Sequence, residues 1–345
     1  MSRLHSRRMT KYGKVGNTIG NILIKLVPIV IILVLIWSQN NFLVNESLVF
    51  SASNLPKSFV GYKVTHISDL CNTNINVVKK VKKAQPNIIL ISGGYNDSNG
   101  NSSRSVKIVE ELTKIAPVYY IYNMEDTEDI LSNTSATSLV DNVVSINPVQ
   151  KDVSTFIKDN YGDKIIKEAN KGDEDAIAYI DFVTESLQNT SGSTIDICGL
   201  SLYDYDYGYY DAYSKTQELI GTDADRVNIL LNGNIANLSD ICRTDVSMVF
   251  FGGTFGTNYI SDDYEKGIYG NHGTQLFVSG GVGKHQGITR IFNFPQIQTI
   301  TLSDGTIKNH NPLEKFISIF FEDVGTIFDN DGGFQNRKYN YKTDD

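Results

Sequence analysis

The sequence predicts an α/β domain behind an apolar N-terminal segment, and three observations carry that expectation. Short runs dense in β-branched residues alternate with helix-spaced segments, two strand–loop–helix units stand in tandem near the start, and prolines punctuate the changes of period. An apolar stretch precedes all of this.

Leu26–Trp37 is unbroken apolar sequence, extended past Lys25 and Asn21 to Ile19. As a helix, residues 19–37 would span roughly 28 Å, close to the thickness of a hydrocarbon core. Lys25 can reach toward headgroups, and Trp37 suits the opposite interface. The preceding residues hold Arg3, Arg7, Arg8, Lys11 and Lys14 and no acid, which places residues 1–18 inside and the remainder outside. A cleaved signal peptide is the competing reading, but Ser38-Gln39-Asn40 makes a poor cleavage site, so an uncleaved single-pass anchor is expected. The whole chain carries −8; removing those five cations and Lys25 leaves −14 for the body. So acidic a body excludes a nucleic-acid partner. Three cysteines, Cys71, Cys198 and Cys242, make no disulfide framework and are read as buried apolar residues.

A polar stalk is expected over residues 38–58, followed by the main domain over 59–303. Lys63–Ser68 reads as a strand, Ile75–Lys83 as a short basic helix and Asn87–Ile91 as a second strand. Arg104–Ala116 has helical spacing through Val106, Val109, Leu112 and Ile115, stops at Pro117, and leads into a strand over Val118–Tyr122. Residues 148–188 are polar with helical periodicity and read as an inserted helical hairpin or helical subdomain. Strands resume at Thr194–Leu200, Val227–Leu231, Met248–Phe251, Gln275–Ser279 and Gln298–Leu302. Residues 304–345 are expected to form an amphipathic helix, Leu313–Phe328, and a polar tail.

The loops after these strands carry a recognisable set of motifs. Thr65-His66-Ile67-Ser68-Asp69-Leu70-Cys71-Asn72 is followed in order by Ser92-Gly93-Gly94-Tyr95-Asn96-Asp97, Tyr119 to Glu125, Ile229-Leu230-Leu231-Asn232-Gly233 and Phe251-Gly252-Gly253-Thr254-Phe255-Gly256. Gly273–Gly283 and Arg290–Ile297 complete the series. Together they resemble the calcineurin-like metallophosphoesterases, and within them the bacterial membrane-associated branch, over residues 55–145 and 195–303. The resemblance implies a two-sheet β-sandwich flanked by helices, and a centre of two divalent cations such as Mn, Fe or Zn.

It also implies which positions would hold those cations, and most are altered. Asp69 keeps a ligand residue, while the first-motif His is Cys71 and the bridging Asp is Gly94. In the third motif the ligand Asn is Asn123, and the catalytic His is Met124. Three further His fall on Gly233, Gly253 and Phe255. Asp97 and Glu125 match residues that do not ligate metal in the family. Of these eight positions, Asp69 and Asn123 retain ligand chemistry. A two-metal hydrolase needs a bridging carboxylate and several donors around it. The expectation is therefore no catalytic residue, no bound metal or other cofactor, and a pseudo-phosphoesterase acting by binding. An envelope protein is the candidate partner beside the membrane. The alternative is a phosphoesterase with a rebuilt single-metal site around Asp69, Cys71 and Asn123. His66, not a ligand position in the family, is expected as a packed strand histidine. The tract containing Tyr203, Tyr205, Tyr207 and Tyr209 reads either as a solvated loop or as a recognition patch, since tyrosine offers large contact area at modest entropy cost.

Overall fold

The computed structural model describes residues 24–122, 129–148, 153–161, 163–189, 193–200, 211–221, 226–233, 238–255, 257, 266–271, 273–284, 289–291 and 293–305. Among them, twelve strands form two six-stranded mixed sheets. The first sheet runs β1 (Val44–Ser51), β12 (Gln296–Ser303), β2 (Lys63–Ser68), β3 (Ile88–Ser92), β4 (Val118–Tyr120) and β5 (Thr137–Ser138). β12 is antiparallel to β2 and parallel to β1, and β2 through β5 are parallel. The second runs β10 (Gly267–Asn271), β11 (Thr274–Val278), β9 (Met248–Phe251), β8 (Asn228–Asn232), β7 (Ile195–Gly199) and β6 (Asn142–Ile146). Its central strands are parallel, with antiparallel β10 and β6 at the two edges.

The burial pattern explains the layering. β3 (IILIS) and β9 (MVFF) are buried along their whole length, as expected of parallel strands covered on both faces. One face of each sheet contributes to a shared central layer holding Val64, Ile88 and Leu90 with Ile197, Leu231, Phe250 and Phe277. The other face of the first sheet packs on α2 (Val77–Ala84) and α3 (Ser103–Thr113) through Val77, Val81, Val109 and Leu112. The other face of the second packs on α7 (Ala212–Ile220) and α8 (Leu238–Ile241). The helix α2 starts where the Asn76 side chain accepts the Lys79 N–H, and ends in a left-handed Gln85. Its apolar residues repeat at four-residue spacing and its lysines face outward.

The expected helical insertion folds as three helices, α4 (Val153–Tyr161), α5 (Asp163–Ala169) and α6 (Glu174–Asn189). Phe156, Ile157 and Val183 join the central layer between the sheets, so the segment completes the main core. Two expectations are corrected. The first is the stalk. α1 (Ile24–Asn41) continues through Ser38–Asn41, and β1 follows after two residues. Side chains in this stretch terminate the helix: Ser38 donates to the Leu35 carbonyl, Asn40 to Ile36 and Asn41 to Trp37. The chain then enters the first sheet, Val44 donating to the Pro295 carbonyl. The second follows: the domain begins at Val44 rather than at residue 59. α1 is long and apolar enough to cross a membrane. The expected C-terminal helix over 313–328 lies outside the described residues.

Candidate functional site

In the first sheet β2 and β3 are parallel neighbours and β12 opens beside the end of β2, with Gln298 opposite His66; in the second, β8 and β9 are parallel neighbours. Bonds from the Gly253 N–H to Asp69 and from the Val282 N–H to Ser68 bring the carboxyl ends of β2 and β9, the usual ligand-binding edge of α/β sheets, together with the loop that precedes β12. Here the structure brings together Asp69, Cys71, Gly94, Gly253 and Phe255, five of the eight positions singled out in the sequence.

Asp69 is fully buried in a left-handed backbone (φ 51°). The Gly253 N–H donates to its Oδ1 at 2.8 Å. Its Oδ2 accepts from the Thr254 N–H at 3.1 Å, the Thr254 hydroxyl at 3.3 Å and the Phe255 N–H at 3.2 Å. The Ser68 hydroxyl adds a longer contact of 3.4 Å. Successive backbone N–H groups turned on one anion form a nest, an arrangement that replaces solvent with fixed dipoles. Burial pushes the Asp69 carboxyl above its usual range, against the downward pull of the Gly253, Phe255 and Gly94 amides and of Arg290. These polar contacts are all donors, so the carboxylate is the form that the nest accommodates.

Glycines are what let the loops close on this side chain. A Cβ on Gly93 would stand 2.1 Å from Asp69 Oδ1, and one on Gly281 would stand 2.7 Å from Oδ2. A Cβ on Gly283 would stand 2.2 Å from the Leu70 carbonyl oxygen. The loop after β11 locks over the first motif, with the Val282 N–H donating to the Ser68 carbonyl and the Gly283 N–H to that of Asp69. Arg290, fully buried, holds that loop by donating to the carbonyls of Gly280, Gly281 and Gly283 at 2.6–2.9 Å. Burial lowers its pKa to about 10, which leaves it charged at neutral pH as a through-space partner for Asp69.

Gly94 faces the Phe255 ring. A Cβ there would lie 2.7 Å from Phe255 Cε1. Gly94→Ala is expected to cost about 1–2 kcal/mol by overpacking, because the ring can rotate aside; thermal unfolding measures it. Cys71 is buried next to them, its N–H donating to the Gly94 carbonyl. Asp97 stays outside this group. It accepts from the Asn99 and Asn101 N–H groups and the Asn72 amide, which hold its carboxyl down at about 2. Gly233 follows β8, where Asn232 pairs with Phe251. Asn123, Met124, Glu125 and the tract with Tyr203, Tyr205, Tyr207 and Tyr209 lie outside the described residues.

His66 supports the floor of the site and is packed in its strand. It is fully buried against the Phe250 ring, at 5.0 Å between centroids. Its Nδ1 lies 3.2 Å from Gln298 Oε1, and its Nε2 2.6 Å from the Ser92 hydroxyl. Gln298 presents an acceptor there, since its amide nitrogen is committed to Glu46. The proton is therefore assigned to Nδ1, with Nε2 accepting from Ser92. Ser92 in turn lies against Gly252, whose Cβ would approach its hydroxyl to 2.8 Å.

Thr254 and Arg290 are the residues that motif reading undervalued. Thr254 held no ligand position, and nothing in the spacing of Arg290 announces three carbonyl acceptors. Among the described residues, no three His, Cys, Asp or Glu side chains converge as a metal-holding group. Comparison of the chain with protein-family models, with curated proteins and with solved structures finds no match.

Proposed function

We propose that this chain is a membrane-anchored, catalytically inactive relative of the calcineurin-like metallophosphoesterases that acts by binding at the cell envelope. The observation that carries the reading is the Asp69 carboxylate, whose oxygens are engaged by the Gly253, Thr254 and Phe255 donors instead of facing open space. A two-cation centre requires a bridging carboxylate and a ring of nitrogen and oxygen donors. Gly94 offers no carboxylate, and Phe255 offers an apolar ring where a ligand would stand. The residues at Asp69, Cys71, Gly94, Gly253 and Phe255 do not fit two cations.

Backbone geometry supports descent from a working site. Asp69, Cys71, Asn72 and Phe255 all have φ between 44° and 51°. Side chains other than Gly, Asn and Asp visit that region at a cost of roughly 1 kcal/mol or more, and such residues cluster at active sites. The anchor rests on α1 and on the basic residues before it, which orient the domain outward. Binding would use the loops at the carboxyl ends of the strands, with the Tyr203–Tyr209 tract following β7 in the chain.

The full-length protein in detergent, incubated with Mn²⁺ or Zn²⁺ and desalted, is expected to retain less than about a tenth of an equivalent of metal. It is also expected not to hydrolyse bis(p-nitrophenyl) phosphate. Stoichiometric metal with turnover that disappears in Cys71→Ala or Asn123→Ala would sink the reading in favour of the rebuilt single-metal site.

A further inference from the structure

Taking the anchored reading as its basis, we infer that the domain is seated directly on the bilayer, with Phe42 and Ile291 lodged in the lipid headgroup layer and the Asp69 loops on the membrane-facing end. The argument starts where α1 meets the domain. From Ile24 to Leu35 the helix side chains are exposed, and protein contact begins at Ile36. The helix therefore projects from the domain instead of packing along it.

At its end, one side chain fastens it. The Asn40 amide donates to the Arg290 carbonyl at 3.2 Å, while its Oδ1 accepts from the Arg290 N–H at 3.1 Å and from Lys284 Nζ at 2.6 Å. Asn40 is three residues past Trp37, a rise of about 4.5 Å along a helix. The interfacial layer on each side of a hydrocarbon core is roughly 5–8 Å thick. With Trp37 at the edge of the hydrocarbon, Lys284 and Arg290 are placed inside that layer by their bonds to Asn40. No spacer intervenes, because the stretch expected as a stalk is helix and strand.

The exposed side chains at this junction suit that location. Trp37 is 57% exposed, Phe42 55% and Ile291 56%. The Trp37 and Phe42 rings meet edge to face at 5.4 Å. Large apolar side chains beside polar backbone and a lysine are the chemistry of a membrane interface, and would be wasteful facing water. Three such residues from two distant parts of the chain converge on the point where the helix leaves. Arg290 then spans the distance to the site: its backbone is clamped by Asn40, and its guanidinium grips the loop that presses on Asp69.

The sole tryptophan of the chain allows a direct test. The full-length protein is reconstituted in phosphatidylcholine vesicles containing lipids spin-labelled at headgroup level. Native Trp37 is read first; then Phe42→Trp, Ile291→Trp and Phe182→Trp are read singly in a Trp37→Phe background. Phe182 is an exposed control at the other end, where Lys57 lies over its ring 6.0 Å away. β1 runs eight residues, about 26 Å, from the anchor toward that end. Quenching of roughly half the intensity is expected at positions 37, 42 and 291, and little at 182. Quenching at 37 without quenching at 42 and 291 overturns the seat and leaves the anchor standing. No quenching at 37 overturns the anchor and the seat together. Equal quenching at 182 and 291 overturns the orientation.

Discussion

Asp69→Ala is expected to lower the unfolding free energy by about 4 kcal/mol, the cost of leaving several buried donors without an acceptor. The Gly253, Thr254 and Phe255 N–H groups all point at the carboxylate, from a loop whose backbone is already in an unfavourable region at Phe255, while the Thr254 hydroxyl keeps the Ser279 carbonyl at 3.1 Å as an acceptor. Asp69→Asn keeps the volume and one acceptor oxygen, which can serve Thr254 and Phe255. Its amide nitrogen must then face the Gly253 N–H, so a smaller loss of about 2 kcal/mol is expected. Denaturant titration of the full chain in detergent, followed by far-ultraviolet circular dichroism, measures both. The order Ala before Asn follows from the nest. A carboxylate retained only as a vestige of metal binding would instead cost little when removed, because burial already disfavours its charge. Near-native stability of Asp69→Ala would mean that the nest does not hold the loop.

Much of the fold could be read from apolar runs, and the failures have physical causes. β3 and β9 are short, fully buried and uninterrupted by polar residues, so pattern alone finds them. β1 escaped because it is an edge strand whose residues are mostly half-buried, and Val44-Asn45-Glu46-Ser47 resembles linker composition. β6 is the opposite edge of the second sheet and is largely exposed, which gives the same weak signal. α7 had a readable start, since the Asp211 carboxylate accepts the Tyr213 and Ser214 N–H groups as an N-cap, but the tyrosine-rich tract before it masked the change of period. For the site, the motifs drew attention to the loops around Asp69 but did not show what packs on it. In three dimensions Gly93, Gly281 and Gly283 are the close approaches that let the loops close on Asp69 and Leu70, and the Gly253 N–H bonds the Asp69 carboxylate. That contact joins positions almost two hundred residues apart, and local patterning carries no trace of it. Asn40 illustrates the same limit, since its partners at Lys284 and Arg290 are unrelated to its helical neighbourhood.

Acid is expected to destabilise the domain through His66 before it protonates most of the carboxylates. Burial lowers the His66 pKa from 6.5 to about 4. The unfolded chain then binds a proton that the folded chain refuses, so stability rises with pH across this interval. The contribution is complete above about pH 6.5 and is lost as pH falls toward 4, amounting to about 2 kcal/mol by pH 5 and about 3 kcal/mol by pH 4. The Ser92 hydroxyl could rotate to accept from a protonated Nε2, and Gln298 already accepts from Nδ1, so hydrogen bonding is not what opposes the charge. Desolvation beside Phe250 and within a fully buried strand is. His66→Gln keeps an acceptor within reach of Ser92 and cannot titrate. Its unfolding free energy, whatever its value at pH 7.5, should fall less steeply between pH 7 and 4 than that of the native protein, by the same 2 to 3 kcal/mol. Asp97 is held down at about 2, and Asp211 is also depressed, but both are common to the two proteins and cancel in the comparison. Parallel pH profiles would show that His66 keeps its proton affinity in the folded state. That would require a charged imidazole between Gln298 and Ser92, and water or an acid that the packed layer around it does not provide.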